Sequence, residues 1–250
     1  YLLIHSPWFS YYFWITECLP RLLMVKDSHS ELILIYPESW KNIDFVNQTL
    51  GLFPELKRIV IPQDYHLFVG NLVMPEVKPW TPMFLPEQVF QVRDFLFANF
   101  VQSNKSIGES RVYISRTRST RRRFTNEELV EDIMKDFGFQ IVAMEELTFR
   151  DQVRLMKDTM LMSGITGAGL INILFMNKNG GFLDLTNIDY LSKDQYKFHY
   201  FKLCNILNIS YSVLFFKHAN DPMVNHYSNQ NLYPDSVKIR QSLVDLISHV

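Results

Sequence analysis

The feature that most constrains this chain is the regular alternation of strand and helix patterns in its second half. Short apolar runs predict strands at residues 111–115, 140–143, 160–163, 182–185 and 211–216. Helical spacing predicts helices at residues 125–137, 148–157, 168–175, 194–207 and 236–248. Strands that alternate with helices in this way predict a parallel sheet covered by helices.

The first half carries the same two patterns. Helices are predicted at residues 12–26, with a kink at Pro20, and at 45–52 and 85–102, and strands at 32–36 and 58–61. A polar stretch at 103–110 is the predicted linker. We therefore expect two α/β domains, residues 1–105 and 106–250, with the last helix, 236–248, packing back on the N-terminal domain. The chain opens inside an apolar segment without Met, so we expect an N-terminally truncated piece of a longer protein.

Charge and cysteine content exclude several function classes. Lys plus Arg number 25 and Asp plus Glu number 26, so the net charge of −1 gives no field that would recruit nucleic acid. Any bound anion must be held by a local cluster. Cys18 and Cys204 are 186 positions apart and suggest neither a disulfide framework nor a zinc site. No apolar run reaches the roughly 20 residues of a membrane span.

An arginine-rich loop directly follows the first strand of the second domain. Five arginines fall within eight residues, at positions 116, 118, 121, 122 and 123. Loops after the strands of an open parallel sheet form its ligand-binding edge, and guanidinium groups pair with phosphate oxygens. The loop therefore predicts an anion site. The alternative is a solvated charged loop.

A glycine-rich turn, residues 163–172, lies on the same predicted edge. It holds three of the nine glycines of the chain within six residues. Such a turn can bring backbone N–H groups and the positive end of a helix to a phosphate, whereas an ordinary tight turn would need glycine for positive φ. Asp184, at the predicted end of the next strand, is expected to bind ribose hydroxyls, or else to serve as a turn or cap residue. Together these features predict a phosphate or diphosphate site.

Other chemistries are less well supported. The turn also resembles a dinucleotide motif, but Asn172 occupies the third glycine position and the turn follows the third strand of its domain. The sequence contains no D-x-D or E-x-D triplet, no histidine pair at metal-ligand spacing and no G-x-S-x-G motif. We therefore expect no metal, and charge neutralisation by arginines and a helix end.

Several short motifs resemble glycosyltransferase family 61 in order and spacing. They are Tyr113-Ile114-Ser115-Arg116, Arg122-Arg123-x-x-Asn126-Glu127-Glu128, Phe149-x-x-Gln152-Val153, Gly164-x-x-Gly167-Ala168-Gly169-Leu170-x-Asn172 and Leu183-Asp184-Leu185. The N-terminal segment 11–22, with its aromatic residues followed by Glu17 and Leu-Pro-Arg-Leu, is similar to another element of that family. The resemblance touches most of the chain.

The resemblance implies a GT-B architecture, which has two Rossmann-like domains, and an inverting, metal-independent transferase. It further implies that the C-terminal domain, 106–250, holds most of the nucleotide-sugar and that the N-terminal domain, 1–105, is the acceptor side. Arg116 and either Arg122 or Arg123 are expected to contact the diphosphate. The remaining expected donor-binding residues are Thr166, Gly167, Ala168, Gly169, Asn172 and Asp184.

Two departures from the family pattern bear on catalysis. Thr166 and Phe13 stand where the family often has histidine. Thr166 can still donate a hydrogen bond, but Phe13 cannot move a proton. We therefore predict Glu17, one helical turn after Phe13, as the base that deprotonates the acceptor. The alternative is an ion pair of Glu17 with Arg21 at i+4.

These observations favour transfer of a sugar from a nucleotide diphosphate, expected to be UDP-linked, to a hydroxyl of a glycan or glycolipid. The resemblance suggests surface or capsular polysaccharide synthesis by a cytoplasmic protein, with peripheral contact at the inner face of a bacterial membrane. The aromatic residues at 8–14 could form a sugar platform, a membrane-facing lip or plain core. The alternatives in function are a degenerate nucleotide-binding module and a dinucleotide-dependent oxidoreductase.

Overall fold

The computed structural model describes residues 1–6, 8–76, 84–101, 110–192, 198–224, 226 and 229–250. It is a mixed α/β structure with parallel sheets, as the alternating pattern predicts. The chain divides into two compact units, Tyr1–Gln102 with Thr148–Val153, and Ser103–Leu147 with Arg154–Val250. Apart from Ser110, the predicted linker and domain boundary lie outside the described residues, so the boundary at 105 stays a prediction.

The first unit contains a small parallel sheet. Strands β1 (Ile33–Pro37) and β2 (Lys57–Ile61) pair in register, with Ile35 opposite Ile59. The start of the chain lies beside them, because Leu2 bridges both Leu34 and Val73. Both predicted strands are confirmed to within one residue at each end.

The first helical segment departs from the expected single helix. It consists of α1 (Tyr11–Phe13), a π-helical stretch (Trp14–Cys18) and α2 (Leu19–Met24). Pro20 lacks a backbone N–H and its ring would clash with the carbonyl one turn earlier in a regular α-helix. The wider π turn directly before Pro20 relieves that conflict, since the N–H of Leu19 bonds to the carbonyl of Trp14. The predicted kink therefore takes the form of a π-helical stretch.

Two further helices of the first unit follow, α3 (Asp44–Leu50) and α4 (Pro86–Phe100). The aromatic N-terminus is core only in part, since Tyr12 and Trp14 are buried and Tyr11 and Phe13 are half-buried. Trp14 is fully buried, meets the ring of Trp40 edge-on at 5.5 Å and donates a hydrogen bond to Thr49 Oγ1 at 3.0 Å. Trp8 and Phe9 are exposed, at 62% and 39% of their surface.

The second unit is built on a five-stranded parallel sheet. Its strands are β3 (Ser110–Ile114), β4 (Gln140–Val142), β5 (Thr159–Ile165), β6 (Gly181–Asn187) and β7 (Ser210–Phe216). They lie side by side in the order β4-β3-β5-β6-β7. All five predicted strands are confirmed, and β6 extends two residues beyond its predicted end.

The helices of the second unit also match the pattern closely. They are α5 (Glu127–Asp136), α6 (Phe149–Lys157), α7 (Asp189–Ser192), α8 (His199–Leu207) and α9 (Ser236–Ser248), with a 3₁₀ helix at Ala168–Phe175. The first five residues of α6, 149–153, belong to the first unit. The first residues of the helix predicted at 194–207 lie outside the described part, and α7 was not foreseen. In α9, Ile239, Leu243 and Leu246 are buried in the core of the second unit, and packing of this helix on the N-terminal unit stays a prediction.

The strand order determines where a ligand can approach this sheet. From β3 the chain moves outward to β4, and it then returns across β3 to form β5 on the other side. Ligands of open α/β sheets bind outside the carboxyl ends of the strands, at the point where the direction of winding reverses. Here that point lies between β3 and β5, whose carboxyl ends lead into the arginine loop and the glycine turn.

Candidate anion-binding site and family assignment

Arg116, the second residue after β3, carries a half-buried guanidinium group. Its Nη2 donates hydrogen bonds to Ser119 Oγ at 3.0 Å and to the carbonyl oxygen of Arg121 at 3.2 Å. Its Nε is buried and has no hydrogen-bond partner among the described residues. Burial, together with the nearby charge of Arg122, lowers the pKa of Arg116 from its usual value. Two guanidinium groups held near each other with unused donors favour an anionic ligand.

Gly167 lets this guanidinium lie directly against the glycine-rich turn. A Cβ atom at position 167 would lie 2.9 Å from Arg116 Nη1. Gly167 has φ 179° and ψ 171°, which is extended backbone, and among the described glycines only Gly138 has a positive φ. The alternative of a tight turn that needs positive φ is therefore wrong. The glycine is needed for close approach.

Glu127, which was not predicted as a site residue, holds the start of the arginine loop. Its Oε1 accepts hydrogen bonds from Tyr113 Oη at 2.8 Å and from the backbone N–H of Arg116 at 3.4 Å. Its Oε2 accepts from the N–H of Phe124 at 2.8 Å, so the buried carboxylate ties both ends of the loop together. In the sequence, a glutamate in the first turn of a helix indicates only a favourable helix start. The sequence therefore contains no sign that Glu127 joins the two ends of the arginine loop.

Arg122 is the second half-buried arginine of the loop. It has φ 54°, in the left-handed region that a bulky side chain rarely adopts, and its Nε is buried with no partner among the described residues. Its side chain lines a cavity of about 10 Å³ together with Thr166 and Thr186. Thr186 Oγ1 is likewise buried and unpartnered within the described structure. Backbone strain of this kind often accompanies functional sites.

The other three arginines face solvent. Arg118 forms an exposed ion pair with Glu146 at 2.7 Å, and Arg121 is exposed. Arg123 is also exposed, and its backbone N–H and carbonyl oxygen bond to Asn231 Oδ1 and to the N–H of Leu232. The solvated-loop alternative thus describes these three residues but not Arg116 and Arg122. Contact of any arginine with a diphosphate stays a prediction.

The glycine turn leads into a 3₁₀ helix at Ala168–Phe175. Ala168 and Gly169 are half-buried at its start, where backbone N–H groups have no acceptor within the helix. Tyr200, from α8, donates a hydrogen bond from its hydroxyl to the carbonyl oxygen of Gly167 at 2.6 Å and so fixes the turn from behind. Asn172 is fully buried inside the helix. Donor binding by these residues stays a prediction.

Asp184 lies in the middle of β6 and not at its end. It is fully buried, and it accepts hydrogen bonds from Thr166 Oγ1 at 2.6 Å and from Tyr211 Oη at 3.0 Å. Neither a turn nor a helix cap describes it. A ribose hydroxyl would have to share or displace these partners, and the predicted ribose contact stays a prediction.

Glu17, the predicted base, lies in the π-helical stretch of the first unit. It is 4% exposed, and its Oε2 lies 3.8 Å from Arg21 Nη1. The ion pair considered as the alternative is therefore present, but it is buried and not at the surface. Arg21 is held in turn by the carbonyl oxygens of Pro75 at 3.0 Å and Ile4 at 3.5 Å. The catalytic role of Glu17 stays a prediction.

Two further observations concern the described residues as a whole. No described helix is long and apolar enough to cross a membrane. Within the same residues, no group of three or more His, Cys, Asp or Glu side chains is arranged to hold a metal ion.

The parallel sheet, with the arginine loop and the glycine turn at its winding reversal, places the chain among the open α/β proteins. Comparison with known families makes the assignment specific, because the model of Glycosyltransferase 61 matches residues 11–183. No curated protein matches the chain. The match covers more than half of the chain, and the chain belongs to the glycosyltransferase 61 family. The resemblance predicted from short motifs is confirmed.

Proposed function

We propose that the second unit binds the diphosphate of a nucleotide-sugar and that the protein transfers the sugar to a hydroxyl acceptor. The observation that carries this proposal is the placement of Arg116 against Gly167. One guanidinium, braced by Ser119 and the loop backbone, faces a turn whose backbone can approach a ligand closely. Family membership supplies the class of reaction.

The chemistry of transfer explains why two half-buried arginines are useful. When the bond between the anomeric carbon and the diphosphate breaks, its electron pair stays on the phosphate oxygen, and negative charge grows there. Fixed positive groups at that point stabilise the transition state more than the ground state. Arg116 and Arg122 each keep a buried Nε–H without a partner among the described residues, so both retain a donor for such an oxygen.

Finer features of the proposal rest on the resemblance to family 61. They are the GT-B architecture with two Rossmann-like domains, inversion at the anomeric carbon, a UDP-linked donor and independence of metal ions. The lack of a D-x-D triplet supports the last of these. A glycan or glycolipid acceptor, a part in surface or capsular polysaccharide synthesis and a cytoplasmic location at the inner face of a bacterial membrane belong to the same proposal. Exposed Tyr65, Phe68 and Met74 are compatible with peripheral membrane contact.

A binding experiment tests the donor site directly. Thermal unfolding of the chain is followed with UDP, GDP, ADP, CDP and their sugar conjugates, with and without EDTA. A ligand at about 100 times its dissociation constant adds about 2.7 kcal/mol, which is roughly 5–10 °C for a chain of this size. We expect one nucleotide family to stabilise the protein in a manner insensitive to EDTA.

Two arginine variants from the same loop provide a matched comparison. Arg116→Ala should abolish the nucleotide-dependent shift because it removes the half-buried guanidinium. Arg118→Ala removes an exposed arginine paired with Glu146 and should leave the shift nearly unchanged. Equal effects of the two variants would mean that the loop attracts nucleotides only through its overall charge. The absence of any shift in a folded wild-type sample would refute the donor site.

A degenerate module that binds nucleotide-sugars without transfer is the second candidate. It is favoured by Thr166, which stands at a position where the family often has histidine and whose hydroxyl is bonded to buried Asp184. Both candidates predict nucleotide binding. The two candidates are separated by the rate at which the nucleoside diphosphate is released from the bound nucleotide-sugar. Added acceptor glycosides should raise this rate for a transferase and leave it unchanged for a module that only binds.

A further inference from the structure

The cavity that Arg122 lines in the second unit has room for a single atom of a ligand. Its volume of about 10 Å³ is close to the least that holds one water molecule. It lies at the carboxyl ends of β5 and β6, because its wall contains the last residue of β5, Ile165, and the last two of β6, Thr186 and Asn187. A cavity of this size admits one ligand oxygen, but neither a sugar ring nor a base.

Two hydrogen-bond donors at this cavity have no partner among the described residues. They are the Nε–H of Arg122 and the hydroxyl of Thr186, and both atoms are buried. Thr186 has no exposed surface and belongs to β6, so the frame of the sheet holds its position. Buried polar atoms are nearly always satisfied. Two such donors beside one small cavity therefore indicate a ligand atom that accepts from both.

Thr166 and Gln230, two further polar residues of the wall, already use their donors. The hydroxyl of Thr166 donates to Asp184 Oδ1 at 2.6 Å. The side-chain amide of Gln230 donates to the carbonyl oxygens of Asp221 at 2.8 Å and Val224 at 3.3 Å. These bonds fix part of the wall and leave no side-chain donor of either residue for a ligand.

The backbone around Arg122 is held by the segment that joins β7 to α9. The N–H of Arg122 bonds to the carbonyl oxygen of Asn229 at 3.3 Å, and the N–H of Leu232 bonds to the carbonyl oxygen of Arg123 at 2.9 Å. Leu232 also lines the cavity. The left-handed backbone of Arg122, with φ 54°, is thus kept in place by contacts distant in sequence. Strain that the surrounding structure maintains in this way is common at ligand sites.

The charge near the cavity favours an anionic oxygen over a neutral one. A guanidinium group keeps its positive charge in proteins. Burial and then the charge of Arg122 lower the pKa of Arg116, so the two guanidinium groups repel each other. A negatively charged oxygen in the cavity would relieve this repulsion, and hydrogen bonds to a charged acceptor are stronger than those to a neutral one.

The cavity adjoins the glycine-rich turn. Thr166 lines the cavity, and the next residue, Gly167, is the one against which Arg116 Nη1 lies. A ligand with one anionic group can fill one of these two neighbouring places. A ligand with two linked anionic groups can fill both, and the diphosphate of a nucleotide-sugar has two such groups.

We propose that the cavity is a pocket for one oxygen of the phosphate that carries the sugar, bound by the Arg122 Nε–H and the Thr186 hydroxyl. This inference rests on the proposed donor site. Arg116 and the glycine-rich turn then hold the phosphate next to the nucleoside. The phosphate that carries the sugar gains negative charge during transfer, so it suits the place where two buried donors meet. Thr186 is thereby assigned as a donor-binding residue.

The test compares a nucleoside diphosphate with its monophosphate, so that the two ligands differ by one phosphate. The full chain is titrated calorimetrically, with the base selected by the thermal experiment. Thr186→Val keeps the branched side chain without the hydroxyl and should weaken diphosphate binding by about 10–100-fold, the usual effect of a hydrogen bond to a charged group. The dissociation constant of the monophosphate should stay within about twofold. Thr186→Ser keeps the hydroxyl and should bind the diphosphate nearly as the wild type does.

Thr159→Val is the matched control, because it makes the same change in another fully buried strand threonine of the same sheet. The hydroxyl of Thr159 donates to the carbonyl oxygen of Leu155 at 3.0 Å. Its loss should lower the Tm by about 2–4 °C and leave diphosphate binding unchanged. Thr186→Val breaks no hydrogen bond to a described residue and should lower the Tm less. Opposite rankings of the two variants in binding and in stability are the expected result.

The other outcomes separate this inference from the proposed function. If Thr186→Val binds the diphosphate as the wild type does, or weakens monophosphate and diphosphate equally, the pocket is refuted while the donor site stands. The same holds if Thr186→Ser binds as poorly as Thr186→Val. If the wild type binds no nucleotide, the proposed function fails, and inorganic pyrophosphate then tests the pocket alone. Saturable pyrophosphate binding that Thr186→Val weakens would support the pocket, and its absence would refute it.

Discussion

Replacing Gly167 with alanine should impair nucleotide binding far more than it impairs folding. The added methyl group would lie 2.9 Å from Arg116 Nη1, whereas carbon and nitrogen atoms normally pack at about 3.5–4.0 Å. The backbone itself is not strained by the change, because φ 179° is available to alanine. The guanidinium group must therefore move by roughly 0.6–1 Å.

The hydrogen bonds of Arg116 determine what this movement costs. Its Nη2 bonds, at 3.0 Å to Ser119 and 3.2 Å to the carbonyl of Arg121, would stretch to or beyond the usual limit. Each such bond contributes about 0.5–1.5 kcal/mol, so the free energy of unfolding should fall by about 1–3 kcal/mol at most. Displacing a positioning group by about 1 Å can cost up to 100-fold, and we expect nucleoside diphosphate binding to weaken by about 10–100-fold.

Gly70→Ala is the control, because it adds the same methyl group where nothing lies within 4 Å and where no nucleotide contact is proposed. Calorimetric titration gives the dissociation constant of each variant for the nucleoside diphosphate that stabilises the wild type. Urea unfolding gives the free energy of unfolding of each variant. Similar dissociation constants for the two variants would refute the reasoning that links Gly167 to the position of Arg116.

Three further predictions concern stability. Glu127→Gln removes the carboxylate oxygen that accepts from the N–H of Phe124 and should lower the free energy of unfolding by about 1–3 kcal/mol in urea; a loss below about 0.5 kcal/mol would contradict the bracing role. Gly180→Ala would place a methyl 2.4 Å from the carbonyl oxygen of Met160 and should cost about 2–4 kcal/mol, whereas Gly70→Ala, which meets nothing within 4 Å, should be nearly neutral. His5 has its pKa lowered to about 4, below its unfolded value, so the unfolded chain binds its proton more readily and stability should decline as the pH falls from about 6.5 to 4. The decline is bounded by about 3 kcal/mol and reduced to about 1–2 by partial exposure, and it should be smaller in His5→Phe; an unchanged decline would assign it to other groups.

Much of the fold was predictable because its strands are short apolar runs between clear breaks. The register and the strand order were not, since they depend on which faces bury each other. Two helices differ from the prediction in type. The π-helical stretch lies directly before Pro20, whose ring conflicts with a regular α-helix, and the helix that begins at Ala168 has 3₁₀ form.

The site was predictable where it depends on chain order and hidden where it depends on distant contacts. Arg116 and Gly167 both follow strands, so a parallel sheet brings them to one edge. Nothing local distinguishes Arg122 from Arg123, because the difference lies in a backbone angle and in burial. Glu127 and Tyr200 act through contacts 11 and 33 residues away in sequence, and periodicity carries no information about such contacts.

The strand order of the second unit determines when its sheet can fold during synthesis. All strand pairs of its sheet are parallel, and the pair that carries the site joins Ile114 to Gly164, so no local hairpin can nucleate it. Such nonlocal pairing makes folding slow, because loop closure must precede any gain from contact. A nascent chain that ends before β5 already contains the five arginines of the loop at 116–123. It lacks the glycine-rich turn against which Arg116 lies. Anion binding should therefore appear late in synthesis and in a single step, together with the closing of β5 onto β3.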